Sequence, residues 1–204
     1  FESERKIMSR GITTQLLHAD RLGPVEHGAT HKPLHTSAAF GYETAGELAA
    51  VFQGDKSGHV YARQGNPTSQ ALEQKITLLE GGVGTVCFAT GMAAIASTFF
   101  ALLKRDDHIV ASRYLFGNTS SLLQTVEALG CTVTLVDATQ AAEVAQAITP
   151  QTRLVFVETI ANPRTQVADL QGIGRVCRER GVLYVVDNTM TTPYLFRASA
   201  VGAG

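Results

Sequence analysis

From about Gly58 onward, the apolar positions of this chain switch repeatedly between a helical period and short continuous runs. Pro67 with Thr68 opens the first helix; Leu72, Ile76 and Leu79 form its apolar stripe, and Gly81-Gly82 stops it. Thr85–Ala89 reads as a strand, Gly91 as a turn and Met92–Lys104 as a helix. The pattern then predicts a strand over Ile109–Ala111, a helix over Thr119–Leu129 closed by Gly130, and a strand over Cys131–Val136. A helix over Ala141–Ile148, a strand over Arg153–Glu158, a helix over Asp169–Arg180 closed by Gly181 and a strand over Val182–Val186 complete the series. The runs LVFV and VLYVV are apolar throughout, as expected of strands covered on both faces.

Alternation of this kind predicts an α/β fold with a mainly parallel sheet and helices on both faces. In such sheets ligands bind at the carboxyl ends of the strands. Four strand ends carry polar or glycine-rich turns: Thr90-Gly91-Met92, Phe116-Gly117-Asn118, Glu158 through Asn162-Pro163, and Asp187-Asn188-Thr189. The first sixty residues lack the pattern. Scattered Gly, Pro and His there predict an extended arm with one short helix near Glu43–Phe52. The expected division is an arm over residues 1–57 and a ligand-binding domain over 58–204.

With 45% hydrophobic and 17% charged residues, the composition is that of a globular chain rather than a disordered one. A net charge of −1 without blocks of like charge gives no footprint for nucleic acid or an anionic membrane. The longest apolar stretch, Met92–Leu103, is too short to span a bilayer. Phe1–Arg10 is charged and lacks a signal-peptide core; Met8 is a candidate start site. Cys87, Cys131 and Cys177 lie more than forty residues apart, which gives no disulfide framework and points to the reducing cytoplasm. Cys87 and Cys131, in apolar strand-like runs, read as packing residues.

Each strand end carries a separate chemical signal. FATGMAAI sets a glycine between strand and helix, where unpaired N–H groups and the helix dipole suit a phosphate; an ordinary tight turn explains it equally. Asp187 ends a buried strand, where a carboxylate needs a cation or several donors; a capping role is the alternative. Arg63, near Tyr61, offers a fork that matches phosphate, or is a surface arginine. Asn162 presents an amide or serves a plain turn, and Glu158 is a buried acid or a strand-end charge. His27, His31 and His35 recur every four residues, but Gly28 and Pro33 argue against a helical metal face, so no metal is expected. HExxH, Walker and GxSxG motifs are missing, and GGVGT falls short of a dinucleotide fingerprint. Asn118-Thr119-Ser120 matches a glycosylation sequon that a cytoplasmic chain would not use.

In order and spacing, YARQGNPT, ATGMAAI, LFGNT, ETIANPRTQVADL and VVDNTMTTPYL together resemble the Cys/Met-metabolism (transsulfuration) family. These are fold-type I enzymes that use pyridoxal 5'-phosphate (PLP); the family includes cystathionine γ-synthase, cystathionine lyases, methionine γ-lyase and O-acylhomoserine sulfhydrylases. The resemblance runs from about Gly11 to Gly204. It implies that Tyr61 and Arg63 grip the cofactor phosphate of a neighbouring subunit, in a homotetramer built from two dimers with shared sites. Gly91 and Met92 would give N–H groups to the phosphate, with Thr90 beside them. Phe116 would stack on the pyridine ring. Asn162 would hydrogen-bond the ring hydroxyl oxygen and lie near the substrate carboxylate. Asp187 would hold the ring nitrogen protonated, so that the ring accepts electrons from a substrate carbanion, and Thr189 would support the ring.

Two departures stand out. Many members carry tyrosine at this position; Phe116 in its place is similar to the O-succinylhomoserine sulfhydrylase branch and favours γ-replacement on an O-acylhomoserine over γ-elimination. The nearby Tyr114 is a candidate substitute for the missing phenol. The family's Schiff-base lysine lies in an S-x-T-K motif beyond DNT, and is expected after Gly204; Lys6, Lys32, Lys56, Lys75 and Lys104 do not fit that motif. No catalytic residue is therefore expected in this segment, and the segment alone is expected to be inactive. A lyase of the same fold, a non-catalytic scaffold and a nicotinamide-binding domain stand as alternatives, the last disfavoured by the incomplete glycine fingerprint.

Overall fold

A computed structural model describes residues 7, 9–23 and 25–204, which fall into two compact units divided between Cys87 and Phe88. Lys6 and Met8 lie outside the described residues.

Among the described residues the first unit carries α-helices α1 (Ile12–His18), α2 (Ala45–Gln53) and α3 (Pro67–Glu80), with a short 3-10 turn at Glu26–Gly28. The second helix meets its sequence expectation within two residues at its start and one at its end, with Thr44 accepting the Glu47 N–H as N-cap. In α3, Asn66 caps Thr68 N at 2.8 Å, Pro67 opens the first turn, and Gly81 (φ +69°) closes the last in a left-handed conformation that suits glycine. α1 was not anticipated. It has no side-chain N-cap, and its neighbour Asp20 pairs with Lys75 of α3 at 3.2 Å. Between the helices, Ala39 and Tyr61 form an antiparallel bridge, and Asn66 and Thr68 bond to the backbone of His35 at 3.1 and 2.8 Å.

The second unit alternates as the pattern predicts. In order come α4 (Gly91–Leu102), β1 (His108–Ser112), α5 (Gly117–Ala128), β2 (Thr132–Val136), α6 (Ala141–Ala147), β3 (Thr152–Glu158), α7 (Leu170–Arg180), β4 (Leu183–Asp187) and α8 (Thr192–Leu195). The strands among the described residues lie in the order β2-β1-β3-β4, and every neighbouring pair is parallel.

Strand geometry sends successive side chains to opposite faces. Ile109, Ala111, Leu154 and Phe156 therefore pack on one face with Phe99, Leu123 and Val126 of α4 and α5. Val110, Val155 and Val157 pack on the other with Val144, Ile173 and Cys177 of α6 and α7. Helices on both faces explain the uninterrupted apolar runs. Phe99 meets Phe156 edge to face at 5.2 Å between ring centroids, a geometry that adds to the area buried. His108, buried at the start of β1, is satisfied by Thr152 Oγ1 (2.7 Å) and Thr134 Oγ1 (2.9 Å), and burial holds its pKa below the usual histidine range.

The predicted strand at Thr85–Ala89 is a correction. This segment belongs to no strand, and Val86 is 72% exposed. A strand needs a ladder partner for its backbone groups. Here Glu73 Oε1 takes the Cys87 N–H at 3.1 Å instead. Cys87 and Cys131 are half-buried, Cys131 packing against the Phe99–Phe156 cluster as read, whereas Cys177 lies in the core of the other face. Among the described residues, no helix is long and apolar enough to cross a membrane.

Candidate active site

The carboxyl ends of β3 and β4 meet the amino ends of α4 and α5 around one cavity of about 240 Å³. Six of the residues that the resemblance assigns to the cofactor line it: Gly91, Met92, Phe116, Asn162, Asp187 and Thr189. Their positions follow from local structure. Thr90 is the N-cap of α4, its Oγ1 accepting Ala93 N–H at 3.1 Å, so its side chain is committed to the helix. The N–H groups of Gly91 and Met92, in the first turn, have no acceptor inside the helix and lie at its positive end. Phe116 immediately precedes α5 and is 41% exposed, with its side chain on the cavity.

Asp187 closes β4. Its Oδ1 accepts both the N–H (2.9 Å) and the hydroxyl of Thr189, while its Oδ2 makes no hydrogen bond among the described residues. The carboxylate thus offers a free oxygen in a cavity wall that also carries an aromatic ring and a helix amino end. This donor set fits a flat aromatic cation bearing a phosphate, as PLP is when its ring nitrogen is protonated. Asn162 follows β3 in a loop that Ile160 and Val167 close by an antiparallel bridge, and its bond to Pro163 is cis.

Glu158, which the sequence left open between a buried acid and a strand-end charge, is 7% exposed and lines the cavity. Its Oε1 accepts the Phe116 N–H at 2.6 Å and its Oε2 the Asn162 N–H at 3.3 Å. Burial raises its pKa against the pull of those two donors, and the charge of Asp187 adds to the rise. Ile95, Thr119, Ile160 and Met190 also line the cavity and were not singled out. All four lie inside the motifs quoted from the sequence; the apolar three carry no signal that separates a cavity wall from core.

Tyr114 does not stand in for the missing phenol. Its hydroxyl donates to Asp137 Oδ2 at 3.0 Å, and its side chain lines a second cavity of about 230 Å³ beside Arg113 and Arg164. The hydrogen bond to Asp137, with burial and that residue's charge, raises the Tyr114 pKa. Tyr61 and Arg63 belong to the first unit. There the Arg63 guanidinium lies 5.3 Å from the centre of the Tyr61 ring, within cation–π range. Of the three spaced histidines, His35 lies 3.2 Å from Glu26, a carboxylate the spacing did not point to. Among the described residues, no cluster of His, Cys, Asp or Glu could hold a metal.

The model of the Cys/Met metabolism PLP-dependent enzyme family matches residues 13–204. An L-methionine gamma-lyase of Pseudomonas deceptionensis is 37% identical over 195 residues, covering 95% of this chain and 49% of that protein. An O-acetyl-L-homoserine sulfhydrylase of Corynebacterium glutamicum is 36% identical over 195 residues, covering 95% and 45%. Among solved structures, metB of C. glutamicum superposes with a TM-score of 0.86 at 35% identity, covering 96% of this chain and 49% of its own. A Campylobacter jejuni protein described as a putative O-acetylhomoserine (thiol)-lyase, whose crystal structure carries a pyridoxyl-lysine monophosphate, gives 0.85 at 26% identity, covering 93% and 47%. The chain spans about half the length of the curated relatives it matches. With the family's match running through every strand and loop that builds the cavity, the chain belongs to the Cys/Met metabolism PLP-dependent enzymes.

Proposed function

We propose that the full-length protein containing this chain catalyses γ-replacement on an O-acylhomoserine: sulfide or a thiol forms a bond to Cγ, the Cγ–O bond breaks, and the acyloxy group leaves as a carboxylate. The coarser statement, PLP-dependent sulfur amino-acid metabolism, follows from the family. The observation that carries the finer reading is the aromatic position of the cavity. Phe116 stands there, and the hydroxyl of Tyr114 is tied to Asp137 outside it. A cavity wall without a phenol keeps an aromatic face and loses a proton donor and acceptor. Replacement ends in addition of a nucleophile, and so depends less on such a group than elimination does.

PLP, when bound, supplies the electron sink. Within this chain, the first-turn amides of Gly91 and Met92 would bind the phosphate, and Thr90 would hold that turn. Phe116 would set the plane of the ring, and Asn162 would orient its hydroxyl oxygen and the substrate carboxylate. Asp187 would keep a proton on the ring nitrogen with Oδ2, Thr189 fixing the carboxylate by binding Oδ1. The general base for the Cα proton would be the lysine that the family resemblance places in an S-x-T-K motif after DNT. Tyr61 and Arg63 would serve the phosphate of a neighbouring subunit in a cytoplasmic homotetramer, with residues 1–57 as an arm on that neighbour.

The methionine gamma-lyases among the relatives favour a second reading, γ-elimination from methionine or cystathionine. The two readings part on products. Given O-acylhomoserine and sulfide, the PLP-loaded full-length protein is expected to form homocysteine faster than 2-oxobutanoate. Equal 2-oxobutanoate and ammonia with or without sulfide would establish elimination instead.

A further inference from the structure

Glu158 and Asp187 are register partners across β3 and β4, so two carboxylates end neighbouring strands at one cavity. Their bonds differ. Asp187 binds Thr189, two residues along its own chain, and keeps an oxygen free. Glu158 spends both oxygens on backbone amides, one from Phe116, 42 residues away before α5, and one from Asn162, four residues along in the loop after β3. Those two residues put an aromatic face and an amide on the cavity wall.

A carboxylate at 7% exposure is costly unless its lone pairs are met, and an apolar residue would fill the space at less cost. What a carboxylate adds is two acceptor oxygens with no donor, able to take two N–H groups at once. Phe116, at an N-cap position, has no polar side chain with which to hold its own segment. We propose that Glu158 is a positioning residue: by accepting from both amides it fixes the Phe116 ring relative to the Asn162 amide, and so sets the slot that receives the pyridine ring. This role rests on the cofactor reading above.

E158Q tests it with almost no change of shape. The glutamine keeps one acceptor oxygen, and its NH2 group faces the other N–H without being able to accept from it. In full-length apo-protein titrated with PLP, E158Q is expected to bind roughly tenfold more weakly, the loss of about one charge-assisted hydrogen bond. The visible circular dichroism of the bound cofactor is expected to change, because the ring is held less rigidly. The melting temperature of the apo-protein should fall by no more than a few degrees, because removal of a buried charge offsets part of the lost hydrogen bond. Hydrogen exchange supplies a readout that needs no variant: peptides spanning Phe116 and Asn162 should be protected in the wild-type apo-protein. Matching PLP affinity and dichroism in E158Q and wild type, or rapid exchange at both amides, overturns the positioning role and leaves the cofactor reading standing. Failure of the wild type to take up PLP overturns both.

Discussion

Replacing Asp187 with asparagine in the full-length protein is expected to slow exchange of the substrate Cα proton by about 10- to 100-fold while weakening PLP retention far less. The range is the worth of one charge-assisted hydrogen bond, ~1.5–3 kcal/mol, read as a barrier. The split between the two effects follows from the chemistry of the free Oδ2. A carboxylate there would stabilise a proton on the ring nitrogen, and that proton would make the ring a strong electron acceptor. An asparagine can still donate a hydrogen bond to an unprotonated nitrogen, so the cofactor stays, but the acceptor is weakened. Thr189 contributes by tying Oδ1 and fixing the carboxylate plane. Proton exchange followed by NMR in deuterated buffer, beside a PLP titration, measures both effects. Equal loss of exchange and retention would remove the electron-sink role from Asp187.

Replacing Arg63 with alanine is expected to raise the PLP dissociation constant by about 10- to 100-fold. An arginine fork matches phosphate oxygens in a way no other side chain does, and charged hydrogen bonds of this type are worth ~1.5–3 kcal/mol. Arg63 forms no salt bridge among the described residues; its guanidinium lies over the Tyr61 ring, which limits the side-chain freedom lost on binding an anion. The antiparallel bridge from Ala39 to Tyr61 holds the same stretch of backbone. Fluorescence titration of the apo-protein reads the affinity. Unchanged affinity would show that Arg63 binds no cofactor phosphate.

The readability of the molecule in its sequence tracks how local its determinants are. β3 and β4 were legible because helices cover both sheet faces and leave continuous apolar runs. Helix ends at Gly81 and Gly181 were legible because left-handed caps select glycine. α1 was not, since Gly11 gives no capping side chain and Thr13 and Thr14 weaken the helical signal. At Thr85–Ala89 the composition is that of a strand, but a strand is completed by a neighbour, which composition does not encode.

The site divides in the same way. The motif residues of the second unit were named in advance, and six of them line one cavity. The direction of Tyr114 depends on Asp137, a partner 23 residues away, and sequence spacing says nothing about it. Glu158 gains its meaning from the register that sets it beside Asp187 and from the Phe116 amide, brought in from 42 residues away, which joins the nearby Asn162 amide on its carboxylate.

The most direct test is the visible absorption spectrum of the purified full-length protein with PLP, before and after borohydride. The expected result is a yellow band that borohydride bleaches, with the reduced cofactor fixed to a lysine C-terminal to Gly204. A protein that stays colourless with added PLP would contradict the catalytic reading and leave a family fold put to another use.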